Sequence, residues 1–144
     1  MTNIAFHNQK IPVPILLPIL AKIKEAYRLW AEFLKTIPKD HRYTLGQRID
    51  TLFIELIEFT YQASQTEAKD RLPYLNIAIR KINTLNLLIL TAWEINCLSD
   101  NKYLALSNPL NESAKMLGGW LGQTKKKQAE QTKLPDKKNP VEMK

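Results

Sequence analysis

Apolar residues recur every three or four positions through most of the chain, and the stretches between these runs are short. From about Ile15 to Thr36, Leu16, Ile19, Leu20, Ile23, Tyr27, Trp30 and Leu34, with Ile37 just beyond, mark one face of a helix. Lys22, Lys24, Glu25, Arg28, Glu32 and Lys35 lie opposite and read most simply as a solvated surface. Pro18 is compatible with a first turn, whose amides lack helical partners, and Pro38 ends the run. A second helix is predicted to start at Thr44-Leu45-Gly46-Gln47, a capping box in which Thr44 and Gln47 satisfy each other's amides. Its stripe is Ile49, Leu52, Phe53, Leu56, Thr60 and Ala63, with Asp50, Glu55 and Glu58 making the other side acidic. A third helix is predicted from Leu72-Pro73 to near Leu98, along Leu75, Ile79, Ile82, Leu85, Ile89 and Trp93. A fourth follows Ser99 or Asp100, either of which can cap it, and runs to Trp120-Leu121. Pro109 is expected to kink or divide it, and Gly118-Gly119 to cap it or permit close backbone contact. Beyond Gln123 the periodicity vanishes.

Short links between four such helices favour antiparallel neighbours. The expected fold is all-α: an up-down-up-down antiparallel four-helix bundle over residues 14–122, after an extended segment 1–13 and before a basic disordered tail 123–144. The two prolines of Ile11-Pro12-Val13-Pro14 dictate the extended start. Only four glycines among 144 residues, and long stretches of helical periodicity, argue against a β-sandwich or barrel. Helix 3 stands apart because Leu87-Leu88-Ile89-Leu90 are consecutive and so cover its whole circumference. Either the helix is central within one chain, or Leu87, Leu88 and Leu90 meet another subunit; with four helices available, the expectation is the subunit interface.

Charge changes the picture at one end. The net charge is +7, and residues 123–144 hold seven lysines against Glu130, Asp136 and Glu142. Such a tail either binds polyphosphates by counterion release or is a solubilising end, and charge alone leaves both open. Chemistry is thin elsewhere. Cys97 is the only cysteine and reads as a small core residue; His7 and His41 have no second ligand at metal spacing; no Glu-x-x-His pair marks a di-iron bundle. No catalytic residue, metal or cofactor is expected, nor a membrane span, since Ile11 to Leu20 is short and interrupted by three prolines. Cytoplasmic residence is the expectation.

Two stretches carry a likeness. Pro38-Lys39-Asp40-His41-Arg42-Tyr43-Thr44-Leu45-Gly46-Gln47-Arg48-Ile49 resembles the loop and second-helix start of accessory variability determinant (Avd) proteins. Leu98-Ser99, Tyr103, Leu106-Ser107 and Met116-Leu117-Gly118-Gly119-Trp120-Leu121 resemble the same family's fourth helix. The likeness covers roughly residues 15–122. A looser one is to four-helix proteins encoded within intervening sequences of bacterial large-subunit ribosomal RNA genes. The first resemblance implies a non-catalytic accessory subunit of a diversity-generating retroelement: a homopentameric barrel of bundles that binds the reverse transcriptase, template RNA and possibly cDNA, and supports error-prone reverse transcription and mutagenic retrohoming. The second implies a protein-interaction module without a nucleic-acid role. Where the Avd family often has Leu-Arg-x-x-x-Arg in helix 3, this chain has Asn86 and Leu90 at the arginine positions. The phosphate contacts are therefore expected from Lys22, Lys24 and Arg28, from Arg71, Arg80 and Lys81, and from Lys125, Lys126 and Lys127. Arg42 and Arg48 are expected instead to fix the interhelix loop through carbonyl or carboxylate bonds.

Overall fold

The computed structural model describes residues 18–142, with side chains through Gln131. The extended segment 1–13, with His7, lies outside the described residues. Those described form an all-α fold with no strand. Its four long helices are α1 (Pro18–Leu34), α2 (Gln47–Gln65), α3 (Leu72–Glu94) and α4 (Asp100–Glu142). Each packs on its sequence neighbour and α1 closes on α4, the ring of contacts of a four-helix bundle. The predicted stripes meet in its centre: Ile23 and Trp30 from α1, Leu52, Phe53 and Leu56 from α2, Leu75, Ile82, Leu85 and Ile89 from α3, and Leu106, Leu110 and Leu117 from α4 are all fully buried. Cys97 joins this core, and burial pushes its thiol pKa up.

The α1–α2 connection departs from the predicted capping box. A single turn, Lys39–His41, runs directly into a π-helical turn, Arg42–Gly46, and that into α2. Thr44 is therefore inside a continuous helical path, its hydroxyl turned back to the His41 carbonyl at 3.5 Å, and no side chain caps α2. The free helix start that a capping box serves does not arise here. Gly46 sits in close contact with the end of α1. A Cβ there would sit 3.1 Å from Leu34 Cδ1 and 3.4 Å from the His41 carbonyl oxygen.

α3 ends at Glu94, earlier than its apolar pattern suggests, because Asn96 adopts a left-handed conformation (φ 66°). The Cys97 amide then donates to the Ala92 carbonyl at 2.8 Å and the Asn96 amide to that of Trp93 at 3.0 Å, the two bonds of a Schellman motif. Ser99 caps α4 as predicted, its hydroxyl accepting from the Lys102 amide at 3.3 Å. Trp93 reaches across the turn to donate to Asp100 at 2.7 Å and stacks on Tyr103.

α4 is longer and more regular than its sequence suggests. Pro109 has no amide for the Ala105 carbonyl, yet the helix is not divided there. Leu106 and Leu110, buried on either side, hold it to the core. Gly118, Gly119 and Gly122 neither cap the helix nor sit at a close contact: a Cβ at each would meet nothing within 4 Å among the described residues. Nor does the helix stop at residue 122. Thr124 is buried, and the Gln128 amide nitrogen donates to the carbonyls of Ala68 and Lys69 at 3.0 Å each. The start of the expected disordered tail is thus a helical turn docked on the α2–α3 link, and the helix continues to Glu142.

Candidate nucleic-acid interface

The nine basic residues singled out from the sequence do not converge on one patch. Lys22 lies on the α1–α4 seam, where its Nζ is 3.3 Å from Glu112 Oε2. Lys24 and Arg28 occupy the outward side of α1, half-buried and exposed respectively. Lys125, Lys126 and Lys127 are exposed on the turn of α4 that Gln128 fastens beside Ala68 and Lys69.

Arg71 has a different role. Its Nε donates to the Ala63 carbonyl at 2.9 Å and its Nη2 to that of Thr66 at 2.8 Å, satisfying orphan carbonyls at the end of α2. Its guanidinium also lies over Trp120 of α4, 5.2 Å from the ring centroid. With two of its nitrogens and its flat face engaged, Arg71 is a brace between the α2–α3 link and α4. Arg42 does the same at the opposite end, donating to Ile37 at 2.9 and 3.2 Å and to Lys35 at 3.3 Å. That is the loop-fixing role expected of it.

Arg80 and Lys81 sit together in a groove of about 460 Å³ between α2 and α3, lined also by Arg48, Leu52, Glu55, Phe59, Ile77 and Thr84. Lys81 Nζ is 3.1 Å from Glu55 Oε1, an ion pair that still leaves this solvent-sealed oxygen without an aligned hydrogen bond. The side chains of Arg48 and Arg80, both residues exposed, make no hydrogen bond or ion pair with any described residue. Arg48 is therefore not a loop brace like Arg42. The signal that could have placed it is spacing: Arg48, Leu52, Glu55 and Phe59 recur at four, three and four, the α3-facing edge of α2. Over the eleven steps from Arg48 to Phe59 the groove runs about 16 Å along the helix. It carries three cations against one carboxylate above an apolar floor.

The apolar centre of helix 3 divides differently from the expected subunit interface. Ile89 is in the core and Leu88 is half-buried against it. Leu90 is half-buried on the side that carries Trp93, while Leu87 alone is open, at 58% exposure. One chain thus hides most of the run, because its two flanks face the α2 and α4 seams. Trp93, Ile95 and Leu104 are exposed as well.

Among the described residues no three His, Cys, Asp or Glu side chains are placed to hold a metal ion, and no helix is long and apolar enough to cross a membrane. No family model matches the chain, and no curated protein matches it.

Proposed function

We propose that this chain is a non-catalytic accessory subunit of a diversity-generating retroelement, holding the reverse transcriptase and its template RNA or cDNA together during error-prone reverse transcription. The likeness of Thr44-Leu45-Gly46-Gln47-Arg48 and Met116-Leu117-Gly118-Gly119-Trp120 to the Avd family motivates the reading. The observation that supports it is the pair of uncommitted guanidinium groups of Arg48 and Arg80 in one groove, with the exposed lysines 125–127 as a second basic surface. Arginine matches phosphate oxygens in a planar fork, and an apolar floor suits bases splayed from a single strand. In a homo-oligomeric barrel, pentameric as in the family, these surfaces repeat around a ring, so that modest contacts sum through multivalency. Leu87 and Leu104 are then the side chains a sister chain covers.

Filter binding of single-stranded RNA over a salt series tests the reading. The double substitution Arg48→Gln/Arg80→Gln is expected to lower the slope of log affinity on log salt by about 1.4, from about 0.7 per phosphate contact on a single strand. Wild-type binding that ignores salt, or a variant slope equal to wild type, removes the groove from the mechanism. Light scattering of the free protein tests the assembly: a mass of one chain at micromolar concentration removes the barrel.

A further inference from the structure

The groove between α2 and α3 continues past Phe59. Lys81 of α3 meets Glu55 of α2 at 3.1 Å, and the two helices keep that pairing as they run in opposite directions. Four residues further along α2 and four back along α3, Phe59 and Ile77 line the groove together. Three more steps bring Gln62 and Tyr74 to a second cavity of about 520 Å³, whose other walls are Glu58, Phe59 and Tyr61. Phe59 is common to both halves. From Arg48 to Gln62 they extend over fourteen helical steps, about 21 Å.

The halves differ in chemistry. The first holds Arg48, Arg80 and Lys81; the second has no cation in its walls, and three of its five lining residues are aromatic. Tyr61 is exposed, and Phe59 and Tyr74 are half-buried. Among the described residues no other ring stacks on these three, and neither tyrosine hydroxyl has a hydrogen-bond partner. The side chains of Glu58 and Gln62 are likewise unpaired among the described residues. Single exposed tyrosines are ordinary, but a trio of aromatic rings around one cavity, next to two uncommitted guanidinium groups, is a combination with a use.

We propose that this second cavity takes bases of a single-stranded nucleic acid, stacked on Tyr61 and Tyr74, while the adjoining phosphates lie on Arg48 and Arg80. The inference rests on the reading of the basic half as a phosphate site and assigns a separate task to the aromatic half. An unpaired strand has two faces to satisfy, a charged backbone and flat bases, and the groove offers cations and rings in succession along one line. Stacking accepts any sequence, because every base has a π-face. Tyrosine serves well here, since only two side-chain torsions are immobilised when the ring is covered. Glu58 fits the same arrangement. Its charge repels phosphate, which keeps the backbone on the arginine half, and its oxygens accept from the N–H groups of a base edge. Gln62 offers that edge both a donor and an acceptor. An apolar peptide in the cavity would leave these polar groups and the neighbouring arginines unused.

Filter binding of the full chain to two strands of equal length and charge tests this, one of mixed sequence and one abasic throughout. The strand with bases is expected to bind at least about tenfold more tightly, within the range that one stacked base supplies, at an equal salt slope because the phosphates are the same. This comparison needs no variant to fold. Tyr61→Ala/Tyr74→Ala is expected to bring the affinity for the base-bearing strand down to that for the abasic one, and Tyr61→Phe/Tyr74→Phe to restore it, since the rings return without the hydroxyls. Equal binding of the two strands by the unaltered chain overturns the proposal, and so does an alanine variant that weakens both strands alike; a persisting salt slope then leaves the phosphate site standing. Absence of salt-dependent binding to either strand removes both. RNA affinity that survives Tyr61→Ala/Tyr74→Ala while co-purification with the reverse transcriptase is lost assigns the rings to a protein partner and overturns the proposal as well.

Discussion

The Arg71 guanidinium lies 5.2 Å from the centre of the Trp120 ring while two of its nitrogens hold the carbonyls of Ala63 and Thr66. One side chain thereby joins the end of α2, the α2–α3 link and the fourth helix. Arg71→Ala loses two hydrogen bonds, each worth about 1 kcal/mol net, and a cation–π contact of about 0.5–1 kcal/mol. Urea denaturation is expected to show a loss of about 2–3 kcal/mol. RNA affinity of the remaining folded protein is expected to stay within twofold, in contrast to Arg48→Gln/Arg80→Gln. A tenfold loss of affinity with unchanged stability would give Arg71 back to the phosphate surface.

That contrast locates what the sequence can and cannot reveal. Leu75, Leu85, Leu106 and Leu117 face inward as their spacing says, because an apolar stripe has one low-energy destination. Ser99 caps α4 for a similarly local reason, its hydroxyl lying three residues from the amide it serves. Arg71 and Arg80 look alike in sequence and differ only in what tertiary structure brings near them. The end of the bundle at residue 122 was misplaced for the same cause. Loss of periodicity marks the end of a buried stripe, but Thr124 is still buried and Gln128 attaches the next turns through the carbonyls of Ala68 and Lys69, about sixty residues away. The π turn at Arg42–Gly46 likewise carries no local signature that would have displaced the capping-box reading.

Thr60 is fully buried, and its hydroxyl has no hydrogen-bond partner among the described residues. Valine has nearly the same shape without the polar atom, so Thr60→Val removes a desolvation penalty and creates no cavity. Stability is expected to rise by about 1 kcal/mol, read as a higher urea midpoint at unchanged m-value. A loss of stability would mean that the hydroxyl has a partner, such as a bound water.

Asn96 holds a left-handed conformation that glycine adopts freely and alanine does not. Asn96→Gly is expected to leave stability within about 0.5 kcal/mol of wild type, and Asn96→Ala to lower it by about 1 kcal/mol. Equal effects of the two substitutions in thermal denaturation would show that the Schellman turn is not what fixes the α3–α4 connection.

Trp30, fully buried in α1, donates to Asp50 of α2 at 3.2 Å, and the same carboxylate governs Tyr27. Burial comes first, then a hydrogen bond to Asp50 and the charge of Asp50, in pushing the Tyr27 phenol above its ordinary value of 10.0. The phenol thus keeps its proton in the folded state at a pH where the unfolded chain has begun to lose it. Because the unfolded state then binds fewer protons, stability falls as pH rises past 10 and continues to fall until the folded phenol also ionises. Tyr27→Phe removes this ionisation, so its urea midpoint is expected to decline less steeply above pH 10 than that of wild type. Asp50→Asn keeps an acceptor for Trp30 but removes the charge, and is expected to flatten the same decline in part. If wild type and Tyr27→Phe lose stability in parallel between neutral pH and pH 11, the α1–α2 pairing through Asp50 is not the group that sets the alkaline limit.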